Sequence, residues 1–289
     1  MRVGNSRGAL RRFGEALAAN PDNADALAGL AQSHLNLGER AEAAEPIAAL
    51  LRVAPNGATG HRLQAEALRR QRRFAEAVNS ARQALTLDPR NPFGHHILAL
   101  CLRGQTGPKA ALAACDQGLA ITPGSAILHA QRGDLLLELR GPKAAGPSCD
   151  QALKLDPDSP YVLRACARVA LADGHLQRAR DLLSVVLRRN ANDREALGLY
   201  LLTEPGRHGV LRGFYIFRYW RRGRPILGAV VWFGAWTAFI GLTLLLAAAT
   251  AGAPLFLGFA MRWFMQSQYD AHRNEVQAHF TRLSLSETF

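Results

Sequence analysis

The chain is 289 residues long, with 35 basic against 23 acidic residues, a formal net charge of +12 and 48% hydrophobic content. That hydrophobic fraction excludes a disordered chain, and four cysteines in this length exclude a disulfide-built scaffold. Cys101, Cys115, Cys149 and Cys166 show no CxxC spacing and read as small core residues in a reducing compartment.

The opening stretch MRVGNSRGALRRFGEAL has basic residues but no apolar h-region, so it does not read as a secretory signal peptide. Residues 7–22, with Ala9, Phe13, Ala16 and Pro21, read as one helix. A two-helix unit begins at residue 24. Leu27, Leu30, Ala31 and Leu35 fall at helical spacing until Gly38 breaks the run. Ala43, Ala44, Ile47, Leu50 and Leu51 make a second stripe, closed by Pro55, which cannot continue the hydrogen-bond ladder. The unit then returns. Prolines stand at Pro21, Pro55, Pro89, Pro123 and Pro157, and alanines at Ala9, Ala43, Ala77, Ala111, Ala145 and Ala179, each step being 34 residues. The phrase GPKAALAACDQGLAITP at 107–123 recurs as GPKAAGPSCDQALKLDP at 141–157. A fixed period of this size means one supersecondary unit stacked on itself. Pro108 and Pro142 suit the first turn of each second helix, where a missing N–H costs nothing. Gly146-Pro147 lies inside the fourth unit's second helix and predicts a kink or a late start there.

This pattern resembles the tetratricopeptide repeat, a 34-residue helix-turn-helix unit with small residues at its eighth and twentieth positions and proline at its thirty-second. Five units fit, at 24–57, 58–91, 92–125, 126–159 and 160–193. The eighth position reads Ala31, Ala65, Ala99, Gly133 and Ala167. The resemblance implies an all-α solenoid of antiparallel helix pairs over residues 1–206, opened by a partial unit and closed by an extra helix at 194–202. The fourth position, often tryptophan in the family, is Leu27, His61, His95, His129 and Leu163, and the last unit has Ala191 in place of proline.

In this family the concave face is lined mainly by the first helix of each unit and commonly holds a peptide or a partner helix. The resemblance places Arg62, Glu66, Arg69, Arg70, His96, Arg103, Asp134, Glu138, Arg164 and Arg168 on that face. Arginine binds carboxylates through paired N–H bonds, so such a groove suits an acidic partner. The lysine and asparagine with which some members hold chaperone tails are absent. His61, His95 and His129 sit one repeat apart, roughly 10 Å for packed helix layers, too far for one metal ion with ligands at ~2 Å. They read as packing residues with a satisfied ring nitrogen. HExxH, P-loop, GxSxG and dinucleotide-turn motifs are all missing, and the expectation is a protein without catalysis, cofactor or metal.

After Pro205-Gly206 the composition changes. Arg207, Arg212, Arg218, Arg221, Arg222 and Arg224 alternate with aromatics that include Trp220, and residues 226–261 then carry no charged residue. Such a run reads as membrane. As one straight helix it would span about 54 Å against ~30 Å of hydrocarbon, so it must break, with TAGAP at 250–254 the natural place. A hairpin and a single span followed by an interfacial segment both fit; Arg262 and Trp263 would sit at the interface. The basic flank keeps the repeats cytoplasmic, and high Ala and Arg with three lysines, Lys109, Lys143 and Lys154, point to a bacterial inner membrane. A nucleic-acid role for the arginine and aromatic stretch is disfavoured by its position against the span. Gly234, Ala238 and Gly241 fall on one stripe and predict close helix packing in lipid, with this chain's own second arm, a second copy or a partner. Residues 266–289 form a tail. Two functions fit these features: a membrane-anchored scaffold that binds proteins at the cytoplasmic face, or a non-catalytic accessory subunit of a membrane complex for envelope polymers or secretion.

Overall fold

The computed structural model describes residues 3–203, 266–267, 270, 273–281 and 283, and every regular element among them is a helix. Two compact units divide the chain between Asn190 and Ala191.

The first unit opens with α1 (Val3–Ala19) and continues as five antiparallel pairs. These are α2 (Ala24–Leu37) with α3 (Ala44–Val53), α4 (Ala58–Arg70) with α5 (Phe74–Leu87), α6 (Pro92–Gln105) with α7 (Pro108–Ile121), α8 (Ala126–Arg140) with α9 (Pro142–Leu155), and α10 (Pro160–Ala172) with α11 (Leu176–Arg189). Each pair is one 34-residue unit, its first member here called helix A and its second helix B. The helices start where the sequence supplies a cap: Asn23, Asn91 and Ser125 accept backbone N–H bonds from the first turns of α2, α6 and α8. Gly38 and Gly174 end α2 and α10 in the left-handed region, at φ 83° and 82°. Arg72 takes the same turn in the second unit at φ 65°, the one non-glycine residue with positive φ among the described residues.

The alanine ladder is the seam. Ala31, Ala65, Ala99 and Ala167 of the A helices, Ala77, Ala111, Ala145 and Ala179 of the B helices, and Ala43 at the N-cap of α3 are completely buried. Small side chains there let backbones approach to a distance that larger ones would forbid. Gly133 takes the eighth position of the fourth unit because a Cβ would lie 2.7 Å from the Cys149 sulfur. Ala9 is only half-buried, as expected of a helix that packs on α2 at the open end of the array. Phe13 secures that contact over Gly29, where a Cβ would stand 2.2 Å from the ring.

Successive A helices touch one another, α2 on α4, α4 on α6, α6 on α8 and α8 on α10, whereas successive B helices are not comparably joined. The A helices therefore lie on the inside of the curve, which fixes the face available to a ligand.

The late start expected in the fourth unit occurs instead in the first. α9 begins at Pro142 and runs unbroken through Pro147 to Leu155, whereas α3 begins at Ala44, four positions later in its repeat than the other B helices. Gly141 at φ 86° and Pro142 at the first turn set α9 going, and exposed Pro147 leaves the Lys143 carbonyl open to water. The first unit has no such start, and Pro46 cannot donate to Glu42, so the helix forms only where proline sits in its first turn. Beside Pro147 a cleft of about 180 Å³ opens between α9, α10 and α11.

The second unit contains α12 (Arg194–Thr203) and a helical stretch at 273–281. Tyr200 and Phe280 meet edge to face with ring centroids 5.2 Å apart, and the Gln277 amide donates to Asn192 Oδ1 at 2.7 Å. Val276 and Phe280 are buried. Among the described residues no helix is long and apolar enough to cross a membrane. The uncharged run 226–261, the residues expected at an interface, Arg218, Trp220, Arg221, Arg222, Arg224, Arg262 and Trp263, and the Gly234, Ala238, Gly241 stripe lie outside the described residues.

Candidate partner-binding groove

The groove is built by one face of the A helices. On α4, Glu66, Arg69 and Arg70 are three and four residues apart and so share a face. The buried Glu66 carboxylate accepts from Arg69 Nε at 2.8 Å and Nη2 at 2.9 Å, and from Arg70 Nε at 2.6 Å. Arg70 also donates to the Leu35 carbonyl of α2. Burial pushes the Glu66 carboxyl up, but the hydrogen bonds and charges of Arg69 and Arg70 outweigh it and hold the group below its ordinary value. One turn earlier, Arg62 Nη1 donates to Gln32 Oε1 at 3.4 Å. Burial lowers this guanidinium from its ordinary value, and the Glu66 charge offsets only part of that.

The middle of the groove is held by neutral groups. His96 of α6 donates from Nδ1 to Gln131 Oε1 of α8 at 2.8 Å, and the Gln131 amide donates back to the His96 carbonyl at 3.2 Å. The Tyr161 ring of α10 stands edge to face with His96 at 5.0 Å. Burial brings the His96 pKa from 6.5 down to about 4, with the Gln131 bond opposing, so the ring is neutral at physiological pH. Burial likewise raises the Tyr161 hydroxyl.

At the far end Arg103 pairs with Glu138 at 2.6 Å, joining α6 to α8. Arg168 clamps Asp134 with two parallel bonds, Nε to Oδ1 at 3.0 Å and Nη2 to Oδ2, joining α8 to α10. Arg164 is half-buried one turn before Arg168. The structure thus brings many of the predicted groove residues together, Glu66, Arg69 and Arg70 as a cluster within α4, and Arg103 with Glu138 and Asp134 with Arg168 as pairs between neighbouring repeats. Sequence reasoning missed Gln32, Gln131, Tyr161 and Phe93. All four occupy groove positions of the repeat and were passed over because only arginine, histidine, aspartate and glutamate side chains were sought. Phe93 is 53% exposed, unusual for a large aromatic side chain.

The remaining candidates are structural. His61, His95 and His129 each donate from Nε2 to a proline carbonyl six residues earlier, Pro55, Pro89 and Pro123, at 2.9 Å in every case. Each ring therefore ties its A helix to the turn before it. No group of three metal-ligating side chains exists among the described residues. All four cysteines are buried and unbridged, and burial pushes the Cys101 and Cys115 thiols up to about 12, which removes the reactive thiolate.

A tetratricopeptide repeat family model matches residues 1–67 and 136–201, and a second model of that repeat matches 58–91, together more than half of the chain. Among solved structures, a tetratricopeptide repeat protein from Parabacteroides merdae aligns with a TM-score of 0.58 at 16% identity, over 69% of this chain and 78% of that one. A thermophilic repeat protein of Thermus thermophilus aligns at 0.55 and 21% identity, over 62% and 98%. The Cut9–Hcn1 hetero-tetramer of the APC/C aligns at 0.54 and 19%, over 70% and 40%. These likenesses speak to fold alone. No curated relative matches by sequence.

Proposed function

Because the chain belongs to the tetratricopeptide repeat family, whose folds bind protein partners or peptides, we propose that it is a non-catalytic scaffold anchored to a membrane. The A-helix groove holds a partner protein, and residues 226–261 hold the array at the cytoplasmic face of the bilayer. The groove carries the binding half of this reading: a continuous row of polar side chains with an exposed aromatic, Phe93, at its middle repeat. The anchoring half rests on 36 consecutive residues without a charge, preceded by six arginines without an acid between Arg207 and Arg224.

The packing of 273–281 on α12 supports a hairpin over a single crossing. It joins the chain that precedes the uncharged run to the chain that follows it, and two segments in contact occupy one side of a bilayer.

Three measurements on the full chain test the reading. Isolated membranes should retain the protein through alkaline carbonate extraction; release into the supernatant would remove the anchor. Topology reporters fused at Arg207 and after Phe289 should report the same side, and opposite signals would establish one crossing. A photo-crosslinker at Phe93 should give a discrete adduct that the same group at exposed Gln117 of α7 does not. Adducts from Gln117 alone would put binding on the outer face.

A further inference from the structure

We propose that Arg62, with Arg69 and Arg70, seats an acidic side chain of the partner segment; this rests on the groove reading above and names what the groove selects. Six arginines and three acids occupy the predicted groove positions, Arg62, Arg69, Arg70, Arg103, Arg164 and Arg168 against Glu66, Asp134 and Glu138. The structure shows how the acids are spent. Arg103 takes Glu138 and Arg168 takes Asp134, while Glu66 is shared by Arg69 and Arg70. On α4, three guanidiniums therefore face one carboxylate.

Arg62 is the member left short. It is half-buried, and among the described residues its hydrogen bonding consists of one long contact, 3.4 Å, to the neutral amide of Gln32. A guanidinium has five N–H donors in a planar fork, and Glu66, one turn along α4, already accepts three bonds from two other arginines. A second carboxylate delivered from outside would meet the free edge of that fork in two parallel bonds and would lower the local charge from +2 to +1.

The surroundings narrow the class of ligand. A polyanion such as nucleic acid would need cations along the whole groove, and beyond α4 Arg103 and Arg168 are already taken by Glu138 and Asp134; a single carboxylate needs only the seat on α4. Exposed Phe93, on the next A helix, offers an apolar contact to the same segment. The groove continues on both sides of α4, over α2 and over α6, so the seat suits a side chain within a segment rather than a chain end. The partner is thus a polypeptide segment that combines acidic with apolar side chains.

Fluorescence anisotropy on the full chain in non-ionic detergent tests this with three labelled decapeptides. The first is alternating Glu-Leu with an amidated end, the second its Gln-Leu amide counterpart, and the third Gln-Leu with a free carboxyl end. The Glu-Leu peptide should bind at least ~10-fold more tightly than the Gln-Leu amide, as charge-assisted paired bonds are about twice as strong as neutral ones. Arg62→Gln should erase that preference. Arg82→Gln, which removes the same charge from an exposed site on α5, should keep it. Arg62→Lys retains charge but loses the fork, so it should keep only part of the preference; it decides the matter if Arg62→Gln does not fold. Equal binding of the Glu and Gln amides, an unchanged preference in both Arg62 variants, or an equal loss in Arg82→Gln would overturn the proposal. Tight binding of the free-ended Gln-Leu peptide would replace it with recognition of a chain terminus. Charge-independent peptide binding would leave the scaffold reading standing and remove only this refinement, whereas absence of Phe93 crosslinks would remove the groove itself.

Discussion

Acid should unlock the middle of the groove through His96. Its folded pKa is about 4 against an ordinary 6.5, because burial disfavours the imidazolium more than the Gln131 bond favours it. Above pH 6.5 the ring is neutral in both folded and unfolded chains, and its neutrality contributes full stability. As pH falls from 6.5 toward 4, the unfolded chain takes up the proton and the native chain does not, so stability falls. Below about 4 the loss is complete at about 3 kcal/mol, of which roughly 2 kcal/mol appears between about pH 7 and about pH 5. Glu66 does not confuse that window, because its lowered carboxyl responds only at more acid pH. Urea unfolding of the full chain, followed by far-ultraviolet circular dichroism at several pH values, measures the slope. His96→Phe keeps a ring against Tyr161 and cannot titrate, so it should be less stable above pH 6.5, with Gln131 left unsatisfied, yet flatter with pH. If parent and variant lose stability in parallel over that window, His96 does not carry the effect and its burial has been overstated.

Other consequences concern the repeats themselves. Ala111→Leu should destabilise the array by ~1–3 kcal/mol because the site is completely buried, whereas Ala113→Leu on the exposed face of the same helix should cost less than ~0.5 kcal/mol. Equal melting temperatures for the two variants would contradict the seam. Arg72→Gly should stabilise by about 1 kcal/mol, since the left-handed turn strains any residue with a Cβ and the Arg72 side chain is exposed. A lower melting temperature would mean that the side chain makes a contact outside the described residues. In the uncharged run 226–261 proposed as the anchor, Gly241→Ile should weaken crosslinking or co-purification that Leu244→Ile leaves intact, and identical behaviour would make the small-residue stripe compositional.

Much of the fold was legible because one physical requirement repeats. Where two helices nearly touch, only a small side chain fits, and the ladder of alanines marks that place in every unit; each of them from Ala31 to Ala179 is buried as the period requires. The break at Gly38 and the helix starts at Pro108 and Pro142 were legible too, because proline and glycine fix the backbone locally. Pro46 and Pro147 were not, because the effect of a helix proline depends on whether something upstream has already started the helix. Pro142 does this for α9 and nothing does it for α3. The groove was read by face but not by partner. Arg103 and Glu138 are 35 residues apart, Asp134 and Arg168 are 34, and His96 and Gln131 are 35, which places each pair on adjacent A helices. The period that found the repeats also contained these rungs. They were missed because each unit was read by itself, and a charge was counted as exposed until a neighbour one period away was sought.

Those rungs bear on how the groove can bind. Exposed ion pairs contribute little to stability, but Asp134 and Arg168 are only 11% and 18% exposed, and Glu66 only 9% at its side chain, so their geometry is defended against water. With the buried His96–Gln131 pair, the Arg103–Glu138 and Asp134–Arg168 pairs tie α6 through α10 along the inner face, opposite the side on which the B helices fan apart, and Arg62 and Arg70 tie α4 to α2. A face tied in this way is already ordered before a partner arrives, so association loses less side-chain freedom there. The same pairing leaves few groups able to make new polar bonds. Selectivity must then fall on the side chains outside the rungs, above all Arg62 with its single long bond and Phe93 with its open ring, while the paired arginines fix the shape into which a partner fits.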